Sequence, residues 1–248
     1  MERTPLLPSQ RRSTPAAVFS EKNLRCFGAI CGQVCPLLIL AHFGAAGWLP
    51  PGGADWSASR TAEHYVAHKT GTHISSVLLL FAGIVYFPYT ASLVAQLRRI
   101  PDVSPFLISL QQVAGAASGL VFFTPAMLLA VTTYRLDRAP EITQALSDLY
   151  WITVTVPWGP FLVQNFGFAL AVLLDGRNEP VFPRKMVALN LLIPSLWFPT
   201  LALHCVHKGP LAWTGIYTFW IVTILTGLQL GMDGFVLMKV IRSEENKD

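Results

Sequence analysis

The chain has 248 residues, of which 52% are hydrophobic and only 13% charged, and its mean hydropathy is +0.47. A soluble domain carries about a quarter charged residues, so this composition excludes a fully solvated surface. The net charge of +4 sits in short segments between apolar runs and forms no patch, which argues against nucleic acid as a partner.

Residues 1–25 are polar, hold five Lys or Arg residues and include Pro5, Pro8, Ser9, Ser13 and Pro15. A segment of this composition buries no core and is expected to be disordered. An apolar run follows at 26–43 and ends in Gly44-Ala45-Ala46-Gly47, which resembles a cleavage site. The long polar segment ahead of the run, and its span length, favour a retained span over a signal peptide. It carries Cys26, Cys31 and Cys35; with Cys205 these are the only cysteines, no CxxC occurs, and buried thiols are expected rather than disulfides.

A membrane-crossing helix needs about 20 mostly apolar residues. Five more runs qualify, at 73–97, 105–131, 150–174, 186–205 and 213–238. The predicted fold is therefore an all-α bundle of six transmembrane helices over 26–240, with short tails at 1–25 and 241–248. Between the first two runs, Ala58, Ala62, Tyr65 and Val66 recur at helical spacing, so 57–70 is predicted to form a surface helix stopped by Gly71. Residues 139–149, opened by Pro140, are predicted to extend the fourth span outward. Five spans contain proline, namely Pro36, Pro88, Pro125, Pro157 with Pro160, and Pro194 with Pro199, so kinks are expected. Gly28/Gly32, Gly115/Gly119 and Gly227/Gly231 are GxxxG pairs, expected to bring helices together inside one bundle.

The basic residues set the orientation. Of the 18 Lys and Arg residues, 13 fall on the tails and on the connections after the second and fourth spans, and 5 on the other connections. The positive-inside bias places both termini in the cytoplasm. Trp48, Trp151 and Trp213 then lie near the outer boundary, where aromatic belts sit.

Two groups of residues are candidates for chemistry. All six histidines fall at or beyond the outer boundary. His64 and His68, one helical turn apart, with His204 and His207 near the turn into the sixth span, are weak candidates for a metal, because their ligand spacing is incomplete. The second group is deeper. At 1.5 Å per residue, Gln33, Gln111, Gln112, Gln164, Asn165, Asn190, Gln229 and Asp233 lie roughly 8–17 Å from the inner ends of their spans. This belt is either interhelical glue or the lining of a polar cavity, and Asp233 is its sole carboxylate. Asp233 is expected to face the bundle and to meet an amide of the third, fourth or fifth span. No Walker A, GxSxG, HExxH or Rossmann fingerprint occurs, so no catalytic residue and no cofactor are predicted.

Several stretches are similar to a family of bacterial six-span integral membrane proteins, found mainly in actinobacteria and proteobacteria and without an assigned activity. They are Pro140-Glu141-Ile142-Thr143-Gln144 with Ser147-Asp148-Leu149, Val163-Gln164-Asn165, Glu179-Pro180-Val181-Phe182-Pro183-Arg184 and Gly209-Pro210-Leu211-Ala212-Trp213. The Pro/Gly stretch 49–53 fits as well. The resemblance implies the fold and a bacterial cytoplasmic membrane, and it brings no functional residues with it. Glu2 with Leu6 and Leu7 resembles an acidic dileucine sorting signal, a chance match in a bacterium. Three functions remain open. One is binding or transport of a small molecule in a cavity between kinked helices, another is an accessory subunit of a membrane assembly, and the third is a membrane enzyme with a metal or carboxylate centre. The partners expected are the lipid bilayer and either a small molecule or another membrane subunit.

Overall fold

A computed structural model describes residues 19–244. Of the segment 1–25 expected to be disordered, residues 1–18 lie outside the described residues, as do the dileucine-like match and the charges at Arg3, Arg11, Arg12 and Lys247, whereas residues 21–25 are helical. Among the described residues the chain is helical and has no strand. Six helices are long and apolar enough to cross a membrane: Glu21–Ala45, Lys69–Leu97, Pro105–Tyr134, Pro140–Leu174, Lys185–Cys205 and Ile216–Ser243. We refer to them as the first to sixth spans.

The first span is α1 (Glu21–Ala45), capped by the Ser20 hydroxyl, which accepts from the Asn23 amide at 3.3 Å. It begins five residues ahead of the apolar run, because Lys22 and Arg25 carry the helix past the apolar boundary. A short amphipathic helix, α2 (Ala58–Ala67), follows, with the Ser57 hydroxyl accepting from the Arg60 amide at 3.3 Å. The second span, α3, starts at Lys69, so Gly71 lies inside its first turn and does not stop α2. A Cβ there would sit 2.0 Å from the Ala45 carbonyl oxygen, so Gly71 is a point of close approach between the first two spans.

Three spans lose their α-helical ladder at prolines. The third splits into α4 (Pro105–Val121) and α5 (Phe123–Tyr134). A proline clashes with the carbonyl four residues earlier, and Val121 stands four before Pro125. The fourth splits into α6 (Pro140–Thr155) and α7 (Gly159–Leu174) around Pro157. The fifth runs as α8 (Lys185–Ser195) and then tightens to a 3-10 helix over Phe198–Cys205; Ser195 is again four residues before a proline, Pro199. Pro36 and Pro88 lie within the uninterrupted helices α1 and α3. The sixth span opens with one π-helical stretch, Ile216–Ile221, and continues as α9 (Val222–Ser243).

The spans pack as a ring in chain order. α1 lies against α3, α3 against α4 and α5, α4 against α7, α5 against α6, and α7 against α8. α9 closes the ring by packing on α8 and on α1, while α2 covers α6. Glycines make two of these contacts possible. A Cβ on Gly28 would sit 2.2 Å from the Pro88 carbonyl oxygen, and one on Gly32 would strike the Tyr89 ring at 2.4 Å. Gly115 and Gly119 do the same for the third span against Thr90, Gln164 and Phe87. The third pair differs: a Cβ on Gly227 would touch only Pro36, at 4.0 Å, and one on Gly231 would meet nothing within 4 Å. The outward faces of the spans carry exposed Phe27, Ile30, Val77, Phe81, Phe106 and Phe235, as a lipid-facing surface does.

The two ends of the bundle are built differently. At one end Arg25 of α1 donates to Glu244 beyond α9 at 3.2 Å, and Arg99, after α3, donates to the same carboxylate. On the connection after α7, Asp175 is buried and accepts two 2.7 Å bonds from Arg177 and one of 2.7 Å from the Val181 amide. The Arg177 guanidinium holds this carboxyl down to about 2, below the usual carboxylate range. The opposite end is aromatic. Trp48, Tyr65, Tyr150, Trp151 and Trp213 are buried against one another, and the Trp213 indole donates to the Gly52 carbonyl at 3.1 Å.

Candidate functional site

The ring encloses a cavity of about 740 Å³, lined by residues of all six spans. This lies within the roughly 300–1,000 Å³ of small-molecule sites. At the aromatic end it is roofed by Phe43, Trp151, Trp213 and Phe219. Phe43 meets Phe219 edge-on at 5.0 Å, and Trp151 stacks on Trp213 at 6.1 Å. Phe122, Trp158, Phe161 and Trp197 line the wall. Both wall indoles are held by hydroxyls: Trp197 donates to Thr226 at 2.9 Å and Trp158 to Thr200 at 3.2 Å. These bonds bridge the fifth span to the sixth and the fourth to the fifth, close to the turns where their helices are interrupted.

The floor is polar. Asn190 of α8 donates to the Asp233 carboxyl of α9 at 3.0 Å and to its own helix at the Met186 carbonyl at 3.1 Å. Gln229 donates to the Asn190 side-chain oxygen at 3.1 Å and to the side-chain oxygen of Asn165 on α7. Gln229 and Asp233 share one face of α9 a single turn apart. Asn190, Gln229 and Asp233 are each under 10% exposed, and all four residues line the cavity. Gln33 and Tyr89 border the same floor.

The cavity has a side opening. Leu37 and Leu40 of α1 and Ile224 and Leu228 of α9 line it, yet they are 64%, 56%, 52% and 63% exposed. They mark a gap between the first and sixth spans. The gap closes toward the Arg–Glu244 end, where a Cβ on Gly234 would lie 2.9 Å from the α1 backbone at Gly32 and Gln33. From there α9 diverges past Gly231 and Gly227, and this is why that glycine pair makes no close contact.

The remaining belt residues form a separate cluster or lie outside. Gln111 donates to the Gln164 backbone carbonyl at 2.6 Å. The Gln164 side chain accepts from Tyr86 at 2.6 Å and donates to Thr90 at 3.3 Å. Gln164 lines the cavity and Gln111 does not. Gln112 points away, is exposed and accepts from Arg98 at 3.3 Å. Of the partners expected for Asp233, the structure selects Asn190 alone.

The histidines are dispersed. His42 is fully buried and meets the Tyr150 hydroxyl at 3.0 Å. His64 and His68 stack with ring centres 4.2 Å apart, but each ring nitrogen that bonds does so to backbone: His64 to the Ala46 carbonyl and His68 to the His64 carbonyl, both at 3.0 Å. Burial keeps the His64 imidazole below the usual histidine range. His204 and His207 are exposed. Among the described residues no group of three or more His, Cys, Asp or Glu side chains is placed to hold a metal ion, and the four cysteines are free thiols.

Sequence reading missed Tyr86 and Tyr89 as part of this site. Their signal was present: two tyrosines three residues apart flanking Pro88 put two hydroxyls on one face of an apolar helix. It also missed Thr200 and Thr226, whose role depends on indoles from other spans. Comparison of the chain with protein-family models, with curated proteins and with solved structures finds no match.

Proposed function

We propose that this multi-pass protein binds a small lipophilic molecule in the cavity between its spans and admits it sideways from the bilayer. The observation that carries the reading is the 740 Å³ cavity, whose lining includes side chains exposed on the outer faces of the first and sixth spans. A molecule dissolved among lipid tails reaches the cavity through that gap without crossing the aromatic roof or the polar floor. An accessory-subunit role finds less support, because Gly28/Gly32 and Gly115/Gly119 are occupied by contacts inside the bundle.

Gly231 supplies the test. Its Cβ position is open and it lines the cavity, so a phenylalanine introduced there is expected to reduce the cavity volume. Trp151, Trp158, Trp197 and Trp213 line the cavity and report on its contents. With 1-bromododecane as quencher and protein in nanodiscs, wild type is expected to show a saturable quenching phase that Gly231→Phe lacks, at unchanged melting temperature. The same saturable phase in both proteins would remove the proposal.

We infer further that the membrane is a bacterial cytoplasmic membrane with both termini inside. The support is the sequence resemblance and the concentration of Lys and Arg on the tails and on the second and fourth connections. Reporter fusions after Leu49 and Lys208 are expected to read outside, and fusions after Arg99 and at the C-terminus inside. A periplasmic signal from the C-terminal fusion would reverse the orientation.

A further inference from the structure

We propose that the bound molecule is a lipophilic amine, its ammonium seated on Asp233 and Gln229 and its apolar body among the aromatic walls. This rests on the cavity being a binding site and specifies what it selects.

The argument begins with the direction of the hydrogen bonds at the floor. Asn190 faces two groups that only accept, the Met186 carbonyl and the Asp233 carboxylate. Its amide nitrogen must therefore point at both, and both of its hydrogens are used. That leaves the Asn190 oxygen toward Gln229, so Gln229 must present its own nitrogen, and it presents the same nitrogen to Asn165. Both Gln229 hydrogens are thus used as well. Chemistry fixes the orientation of each amide in the chain, from the carboxylate outward.

The consequence is an excess of acceptors. The Gln229 side-chain oxygen is buried without a hydrogen-bond partner in a residue only 3% exposed. On Asp233, Asn190 donates to Oδ1, and no described residue donates to Oδ2, which is not among the fully buried unpaired atoms. Leaving a buried acceptor unpaired is costly, and a charged one more so, so the floor is complete only when something donates to it. Among the described residues, Asp233 is also the sole acidic residue lining the cavity, and no Lys, Arg or His lines it. A carboxylate or phosphate head would meet like charge and acceptors already in excess. An ammonium supplies both the missing donors and the opposite charge. Length agrees too. From Asp233 to Ile224 at the rim is nine residues, or about 14 Å along α9, which accommodates a chain of roughly ten to twelve carbons.

The experiment uses four quenchers with one twelve-carbon chain: 12-bromododecylamine, 12-bromododecanol, 12-bromododecanoate and headless 1-bromododecane. Full-length protein sits in zwitterionic phosphatidylcholine nanodiscs, and the signal is the saturable tryptophan quenching that Gly231→Phe removes. Wild type is expected to bind the amine at least tenfold more tightly than the alcohol or the carboxylate. Asp233→Asn is expected to reduce amine affinity at least tenfold and to leave 1-bromododecane unchanged. Equal or tighter binding of carboxylate or alcohol by wild type overturns the proposal, as does full amine preference in a folded Asp233→Asn. The wild-type ranking decides even if that variant fails to fold. Absence of saturable quenching by every probe instead refutes the cavity as a binding site, and so separates the two failures.

Discussion

Gly28→Ala is expected to lower the melting temperature of the protein by several degrees, although alanine is the better helix former. At this position a methyl group would lie 1.9 Å from the Ser92 hydroxyl and 2.2 Å from the Pro88 carbonyl oxygen. The hydroxyl can rotate away. The carbonyl is the backbone of Pro88 within α3 and cannot, so α1 must move off α3 across the most extensive helix contact in the bundle. Overpacking of this kind costs about 1–3 kcal/mol, against a gain of about 0.5–1 kcal/mol from replacing a mid-helix glycine. The clash wins. At roughly 2–4 °C per kcal/mol for a chain of this size, the net loss is readable by thermal unfolding in detergent. Gly231→Ala is the control: it has open space around its Cβ position and is expected to melt at or above the wild-type temperature. Two variants that both melt at or above wild type would show that the α1–α3 contact tolerates separation.

Asn190→Leu should be the most damaging single change at the cavity floor. It removes the one side chain that joins Asp233 to Gln229. The Asp233 oxygen and one Gln229 hydrogen then lose their partners together, at about 1–3 kcal/mol for each buried group left unpaired. Asp233→Asn is expected to be much milder, because its amide oxygen still accepts from Asn190. The double variant Asn190→Leu/Asp233→Leu tests whether the pair acts as a unit. Two residues in contact are non-additive, so the double variant should lose less stability than the two single leucine variants combined. Strict additivity in denaturant titrations would mean that the 3.0 Å contact contributes no coupling.

Depth was legible in the sequence; azimuth was not. A rise of 1.5 Å per residue places Asn165, Asn190, Gln229 and Asp233 at similar levels on three spans, and the structure joins these four. Gln111 and Gln112 are neighbours at the same depth but differ by about 100° around the helix axis. Packing against the fourth span draws Gln111 inward and leaves Gln112 exposed to Arg98. The glycine pairs show a second limit. Gly28/Gly32 and Gly227/Gly231 are identical as patterns, yet one pair lets two backbones meet and the other leaves space. A missing Cβ permits both, and only the course of the neighbouring helix decides. The aromatic roof was hidden for a simpler reason: Phe43, Trp151 and Phe219 are more than sixty residues apart in the chain, and nothing local marks them as neighbours.

Because the sixth span completes the ring against the first, the bundle has a seam between these two spans. Of the six described spans, these two are the farthest apart in the order of synthesis. Until α9 arrives, the α1 groove at Gly32 and Gln33 and the Asn190 amide on α8 have no protein to cover them. Glu244, which fastens Arg25 and Arg99, directly follows the sixth span and so is made after all six spans. Chains truncated within α9 would therefore present to the bilayer a bare glycine groove and an Asn190 amide bonded only to its own helix.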